Sequence, residues 1–352
     1  MRTSRFNNLT VAITMGDPSG IGPEVIIKSL TRPFIRKLAR HIIVGDLGVL
    51  KRTASACKVG EHLIENAVVF SGRNPRHDSK ILKKLKSGNK AIIIYDLSNV
   101  DMKDFHFGRQ DIRYGKASVE YLKAACALIK KGVADCLVTG PINKCSIDLA
   151  GFGFPGHTEY LVKISKSNKY AMMLIGGPLK VSLVTRHIPL RDVARSITAK
   201  KLSDTIEITL DALKRDFGIR RPKVGVCALN PHAGDNGVIG TDEAKKLGPV
   251  TGRYPRDSVI GPIPSDSLFY DAYRGRFDAV IALYHDQGLI PLKMIARDSG
   301  VNTTIGLDFI RTSPDHGTAF NISGKGIADS GSMEEAMKLA VLMAKNRIAY
   351  AK

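Results

Sequence analysis

Short apolar runs alternate along the chain with longer stretches whose apolar residues recur every three or four positions. VAIT (11–14), HIIVG (41–45), AVVF (67–70), AIIIY (91–95), DCLVTG (135–140), VSLVT (181–185), VGVCAL (224–229) and AVIALY (279–284) predict buried strands. Between them, SVEYLKAACALIKKG (118–132) and SDTIEITLDALKRDFG (203–218) carry helical spacing. This alternation predicts an α/β fold with a largely parallel sheet covered on both faces. No internal repeat, low-complexity tract or long Pro/Gly linker separates the two halves, so two interwoven domains are expected.

Length and composition fit that picture. The 352 residues suffice for two domains with their own cores. A hydrophobic fraction of 43% is too high for a disordered chain. No apolar run approaches the ~20 residues of a membrane span, and the apolar stretch in MRTSRFNNLTVAITMGDP is too short for a signal peptide. Five scattered cysteines without a C-x-x-C pair suit reduced thiols, and a cytoplasmic location is expected.

The formal charge of +20 invites a nucleic-acid reading. Residues 1–200 hold 33 of the 53 basic and 15 of the 33 acidic residues, so the excess is N-terminal, densest over 71–90. Without Trp, with 6% aromatics and with no recognition-helix, zinc-finger or RNA-binding signature, a solvated basic surface is the better account. No phosphate-binding G-x-x-x-x-G-K-[ST] loop occurs. The G-x-G-x-x-G of Gly151, Gly153 and Gly156 follows no strand and carries Pro155 where a helix should begin, so it is treated as accidental.

Histidine placement is more informative. His187, His232 and His285 each fall at or just past the carboxyl end of a predicted strand, where open α/β sheets place ligands. Each alone reads better as a hydrogen-bonded loop residue; together they offer a three-nitrogen divalent site, Zn2+-like in ligand number, such as a zinc hydrolase would use. His157 and Thr158 follow a Pro-Gly turn at a plausible helix entry suited to an anion. Lys293, Asn302 and Arg311, nine residues apart, supply donors for phosphate or carboxylate, or are surface charges and a turn residue. GDPSGIGPE (16–24) follows the first strand; Asp17 or Ser19 faces a cleft there, or Ser19 caps a helix that Pro23 and Glu24 begin.

Taken together, TMGDPSGIGPE (14–24), VTGPINK (138–144), PGHTEYL (155–161), TRHIPLRD (185–192), NPHAG (230–234), YHDQGLIPLK (284–293), GVN (300–302) and FIRTSPDHGTAF (309–320) resemble the 4-hydroxythreonine-4-phosphate dehydrogenase family. The resemblance runs from about residue 10 to about 340 and rests on many blocks in one order. It implies two interwoven α/β domains of the isocitrate and isopropylmalate dehydrogenase type with a cleft between them. Approximate bounds are 1–135 with 298–352 on the cofactor side and 136–297 for metal, substrate and dimerisation.

The resemblance also assigns roles. Metal ligands fall on His187, His232 and His285, the third histidine coming from the partner subunit of a homodimer with its active site at the interface. Substrate contacts fall on His157, Thr158, Lys293, Asn302 and Arg311. DHGTAFNISGKGIAD (315–329) is similar to the cofactor segment of isopropylmalate dehydrogenases, which makes His316, Gly317 and Ala319 the NAD or NADP candidates. Asp286 and Asp17 are candidate catalytic or supporting carboxylates.

The implied reaction oxidises 4-phosphohydroxy-L-threonine with a divalent metal (Zn, Mg or Co) and NAD(P). The resulting 3-oxo acid decarboxylates to 3-amino-2-oxopropyl phosphate in pyridoxal 5'-phosphate (vitamin B6) biosynthesis. Oxidation of 4-phospho-D-threonate or 4-phospho-D-erythronate at the same site is the alternative. Asp308 stands where the family usually has Pro, and it either weakens anion binding at Arg311 or points to solvent. Neither a nucleic acid nor a membrane is an expected partner.

Overall fold

A computed structural model describes residues 9–72, 80–81, 84–85, 91–154, 156–165 and 167–351. Most of the basic stretch 71–90, and Pro155, lie outside the described residues. The strands are β1 (Thr10–Thr14), β2 (Arg40–Gly45), β3 (Val68–Ser71), β4 (Ile93–Asp96), β5 (Cys136–Thr139) and β6 (Ala171–Gly176). They continue as β7 (Leu179–Leu183), β8 (Val224–Cys227), β9 (Val259–Ile263), β10 (Ala279–Ala282), β11 (Val301–Ile305) and β12 (Ile310–Pro314). Helices that bear on the site are α1 (Gly22–Thr31), α2 (Leu47–Ala56), α3 (Ile112–Lys130), α4 (His157–Ser165), α5 (Ala199–Arg215) and α6 (His285–Ala296).

The chain divides into two compact units, 1–166 with 309–345 and 167–308 with 346–352. Both are discontinuous in sequence, and β5 and α4 belong to the first, whereas the bounds expected from sequence fell at 135/136 and 297/298.

In the first unit the strand order is β3-β4-β2-β1-β5-β12, with every pair parallel. Parallel strands covered on both faces bury consecutive residues, and all five positions of β1 are buried. Helix α3 follows an N-cap at Asp111, whose carboxylate accepts from the Arg113 N–H, and buries Tyr114, Val119, Tyr121, Leu122, Ala125 and Leu128 along one face. Ser19 does not cap α1: residue 21 is the cap, without a side-chain bond, and Pro23 and Glu24 sit in the first turn as expected. The Ser19 hydroxyl instead accepts from the Arg109 N–H at 2.7 Å.

In the second unit the order is β11-β6-β7-β10-β8-β9. Strands β7, β10, β8 and β9 are parallel, but β6 runs antiparallel to both β11 and β7. The largely parallel expectation therefore needs an antiparallel insertion, which the sequence hides because AMMLIG and LKVSL are joined by the tight Gly177–Pro178 turn. Helix α5 is capped by Thr198, which accepts from the Lys201 N–H.

Candidate active site

In the second unit, β7, β10 and β8 are consecutive parallel neighbours, so their carboxyl ends share one edge of the sheet. The three segments leaving those ends carry His187, His285 and His232. Two of these rings meet directly: the His187 and His285 ring centroids lie 5.5 Å apart at an interplanar angle of 47°. The turn that delivers them is pinned by Thr185, whose N–H and hydroxyl both donate to the Leu283 carbonyl at 3.1 and 2.6 Å.

His285 is the first residue of α6, and its Nδ1 lies 2.7 Å from Asp286 Oδ1. A carboxylate accepting from Nδ1–H holds the tautomer whose Nε2 lone pair is available to a metal. Asp286 is thus placed to orient the His285 ring. Gln287 ties the ends of two strands together: its Oε1 accepts from the Leu283 N–H while Nε2 donates to the Ala228 carbonyl and to Ser265 Oγ.

His232 sits in a run, His232–Asn236, whose backbone is left-handed throughout, with φ of 51° at His232 and 55°, 42° and 53° at Ala233, Asp235 and Asn236. For residues with a Cβ each such position costs on the order of 1–2 kcal/mol, and this kind of strain is held where surrounding contacts impose it. Glu243 holds the residues that lead into this run. Its Oε1 accepts from the N–H groups of Leu229 and Asn230 at 2.9 and 2.7 Å, and its Oε2 accepts from Asn230 Nδ2 at 3.0 Å. Burial works to raise the pKa of this carboxyl, but those donors outweigh it and the value is lowered. Neither Gln287 nor Glu243 was singled out in the sequence; their position just beyond the strand-end motifs was the available signal.

Two cavities flank this constellation. One, of about 410 Å³, is lined by Arg186, His187, Tyr284, His285 and Asp286. The other, of about 510 Å³, is lined by Asn230, His232, Tyr284, Asp286 and Gln287. Tyr284 and Asp286 face both. Even so, no group of three or more His, Cys, Asp or Glu side chains that could hold a metal ion is assembled among the described residues. The chain brings His187 and His285 together and places His232 in the neighbouring cavity.

The anion candidates divide between the units. In the second, Lys293 lies two turns along α6 from His285, and Asn302 stands on β11, not in a turn, with its Oδ1 buried and unpartnered. Arg186 presents a further donor: its guanidinium packs 4.5 Å over the Tyr170 ring, Nη2 donates to the Tyr170 hydroxyl at 2.9 Å, and Nη1 is buried without a partner. Asp308 is exposed and its carbonyl accepts from Arg347, so its side chain faces solvent.

In the first unit, Arg311 on β12 is 3% exposed, and its Nε and Nη2 both donate to Thr139 Oγ1 at 3.1 and 2.8 Å. Burial brings its pKa down to about 10, against the opposing pull of Glu159, so it stays cationic at neutral pH. His157 opens α4, as expected, beside the buried Thr158. Burial first, then the Arg311 and Lys144 charges, hold its imidazole well below the usual value and therefore neutral. A buried cation beside a neutral imidazole and a hydroxyl is a donor set suited to a phosphate or carboxylate.

Elsewhere in that unit, Asp17 is fully buried on the loop after β1, where its Oδ1 accepts from the Ser19 N–H and its Oδ2 has no partner. Burial drives its pKa up to about 7, with the nearby Asp111 adding to the rise and the Ser19 N–H opposing it. At Gly317 a side chain would meet nothing within 4 Å, while the adjacent His316 keeps a buried, unpartnered Nε2 and Ala319 is left-handed at φ 42°. Open space therefore lies beside an unsatisfied imidazole nitrogen.

Residues 37–340 match the family model described as pyridoxal phosphate biosynthetic protein PdxA. The chain belongs to this family. It is 38% identical to a 4-hydroxythreonine-4-phosphate dehydrogenase of Geobacter metallireducens over 95% of both chains. It is 40% identical to a D-threonate 4-phosphate dehydrogenase of Cupriavidus necator, over 96% of this chain and 98% of that one. The crystal structure of 4-hydroxythreonine-4-phosphate dehydrogenase from Klebsiella pneumoniae superposes with a TM-score of 0.81 at 34% identity, covering 96% of this chain and 98% of that one. These family members are oxidoreductases by name. No helix among the described residues is long and apolar enough to cross a membrane, and none of the five cysteines forms a disulfide.

Proposed function

We propose that this chain oxidises 4-phosphohydroxy-L-threonine at C3 with NAD or NADP and a divalent metal, yielding a 3-oxo acid that loses CO2, as a step of pyridoxal 5'-phosphate synthesis. The observation that carries this reading is the delivery of His187, His285 and His232 from the adjacent carboxyl ends of β7, β10 and β8. Family membership and the names of the relatives supply the chemistry.

The donor set fits a divalent metal of the Zn, Mg or Co type in part. His187 and His285 would hold it through imidazole nitrogens, with Asp286 orienting His285. The metal, when bound, acidifies the substrate hydroxyl and stabilises negative charge on oxygen after hydride loss. Among the described residues one chain does not assemble three donors, so one of the three histidines would come from the partner subunit of a homodimer. The exposed Ile290 and Met294 on α6 are consistent with that surface being covered. Arg311, His157, Thr158, Lys293 and Asn302 would anchor the phosphate and carboxylate, which fixes the reacting carbon. His316, Gly317 and Ala319 would line the nicotinamide cofactor. Free thiols and the absence of a spanning helix among the described residues support a cytoplasmic enzyme.

A second reading, oxidation of 4-phospho-D-threonate or 4-phospho-D-erythronate, is favoured by the equally similar D-threonate 4-phosphate dehydrogenase of C. necator. Parallel assays of NAD(P)H formation on the candidate substrates decide between them. Preferred turnover of 4-phosphohydroxy-L-threonine supports the first reading, and turnover of the sugar acids alone removes it.

A further inference from the structure

The segment from His316 to Ala328 is clamped from behind and open in front. At its amino end the Ile21 N–H donates to the Thr318 carbonyl at 3.0 Å, and Ser323 Oγ donates to the Ser19 carbonyl at 2.7 Å. At its carboxyl end an ion pair from α1 takes hold of both backbone groups of one residue. Glu24 Oε1 accepts from the Ala328 N–H at 2.8 Å, and Lys28 Nζ donates to the Ala328 carbonyl at 2.7 Å and to the Gly326 carbonyl at 2.9 Å. Glu24 and Lys28 pair with each other at 2.9 Å, one turn apart on the helix.

The remaining Glu24 oxygen is also satisfied, because Cys57 Sγ, just past the end of α2, lies 3.4 Å from Oε2. Burial and the Glu24 charge push the Cys57 thiol up to about 12, which keeps it a protonated donor. Backbone packing is equally close. A Cβ on Gly326, at φ 73°, would come within 3.0 Å of the Cys57 carbonyl, and one on Gly324, at φ 75°, within 2.5 Å of the Phe107 ring. Nothing comparable backs Gly317, where the space is open.

The geometry points to Glu24 and Lys28 as positioning residues for nicotinamide-cofactor binding, acting through the Gly324–Ala328 backbone and touching no reacting atom themselves. This rests on the cofactor reading of His316, Gly317 and Ala319. A Glu–Lys pair whose fixed N–H and C=O contacts reproduce those of a strand neighbour sets the phase of a loop that has no strand to pair with. Glu24 is buried with three donors around it, the Ala328 N–H of this loop, Lys28 of α1 and the Cys57 thiol after α2, so its carboxylate joins the loop to both helices.

The test is NADH or NADPH binding by nucleotide fluorescence, with cofactor and substrate kinetics, on Lys28→Met, Lys28→Arg, Glu24→Gln/Lys28→Met and His316→Ala. The double variant removes both charges and so avoids stranding a buried carboxylate. Loss of charge-assisted bonds should weaken cofactor binding and raise its KM about tenfold in both Met variants, with kcat within about threefold, substrate KM within about twofold and partial recovery in Lys28→Arg. Backbone amide exchange over 318–328 should rise in the Met variants and fall when cofactor is added to the wild-type enzyme.

Unchanged cofactor affinity in both Met variants, with His316→Ala weakened, overturns the positioning role and leaves the loop's assignment standing. Unchanged affinity in all four variants overturns that assignment as well. A fall in kcat and both KM values together, without a selective cofactor effect, identifies a general packing role and also overturns the proposal.

Discussion

His41 lies on β2 with 3% of its surface exposed and an Nε2 that has no partner. Burial, helped by the Arg36 charge, brings its pKa from 6.5 to about 4. The folded state therefore binds fewer protons than the unfolded one between those values. The stability this neutral ring allows is present above pH 6.5 and is lost as pH falls toward 4, by about 3 kcal/mol at about 1.4 kcal/mol per pKa unit. Urea midpoints at pH 7, 5.5 and 4 should show that loss in the wild-type chain, and His41→Leu should flatten it; an equally steep acid limb in the variant would remove His41 as its source. At the same scale, Thr139 is the acceptor that aims Arg311. Thr139→Val should raise the KM for the phosphorylated substrate by about tenfold with a smaller change in cofactor KM, since bonds to charged groups contribute roughly 1.5–3 kcal/mol. An unchanged substrate KM would show that Arg311 needs no such aim. The sequence exposed Arg311 through its anion chemistry, but Thr139 reads as one residue of a buried strand, and only its register opposite β12 gives it a role.

Among the elements, the eight strands visible as apolar runs are all present; all but β3 are buried and read as continuous hydrophobicity for that reason, while β3, expected to be buried, is an edge strand with alternate residues exposed. Strands β6, β9, β11 and β12 were not singled out: VNTTI and IRTSP are polar enough to read as loop, and they are strands because their neighbours pair with them. Strand-end placement made the three histidines legible, whereas the left-handed loop around His232 was not, since NPHAGDNG contains non-glycine residues that do not choose that backbone unaided. Glu243 holds the residues that lead into it. Glu243→Ala, which leaves the Leu229 and Asn230 N–H groups without their acceptor, should cost about 2–4 kcal/mol by chemical denaturation and lower metal affinity. Full stability in that variant would show the loop holds its shape without the carboxylate.

Over the whole molecule, the charge of +20 says little about function. Of the cations among the anion candidates, Lys293 and Arg311 lie outside the basic N-terminal 200 residues and Arg186 lies within them, and the rest of the excess would act as a field that gathers anionic substrates. Raising salt from 50 to 200 mM should therefore lower kcat/KM for the phosphorylated substrate by a few-fold, far short of the 10³–10⁵ loss expected where many phosphates are neutralised. A loss of that size in duplex DNA binding would restore the nucleic-acid reading.

His187, His285 and His232 would make this chain a divalent-metal dehydrogenase. Steady-state formation of NAD(P)H from 4-phosphohydroxy-L-threonine, across a titrated series of divalent metals, in the wild-type chain and in His232→Ala tests it most directly. Metal-dependent turnover in the wild type, abolished in a His232→Ala variant that still folds, is the predicted result. Turnover that is independent of metal, or retained in His232→Ala, would contradict it.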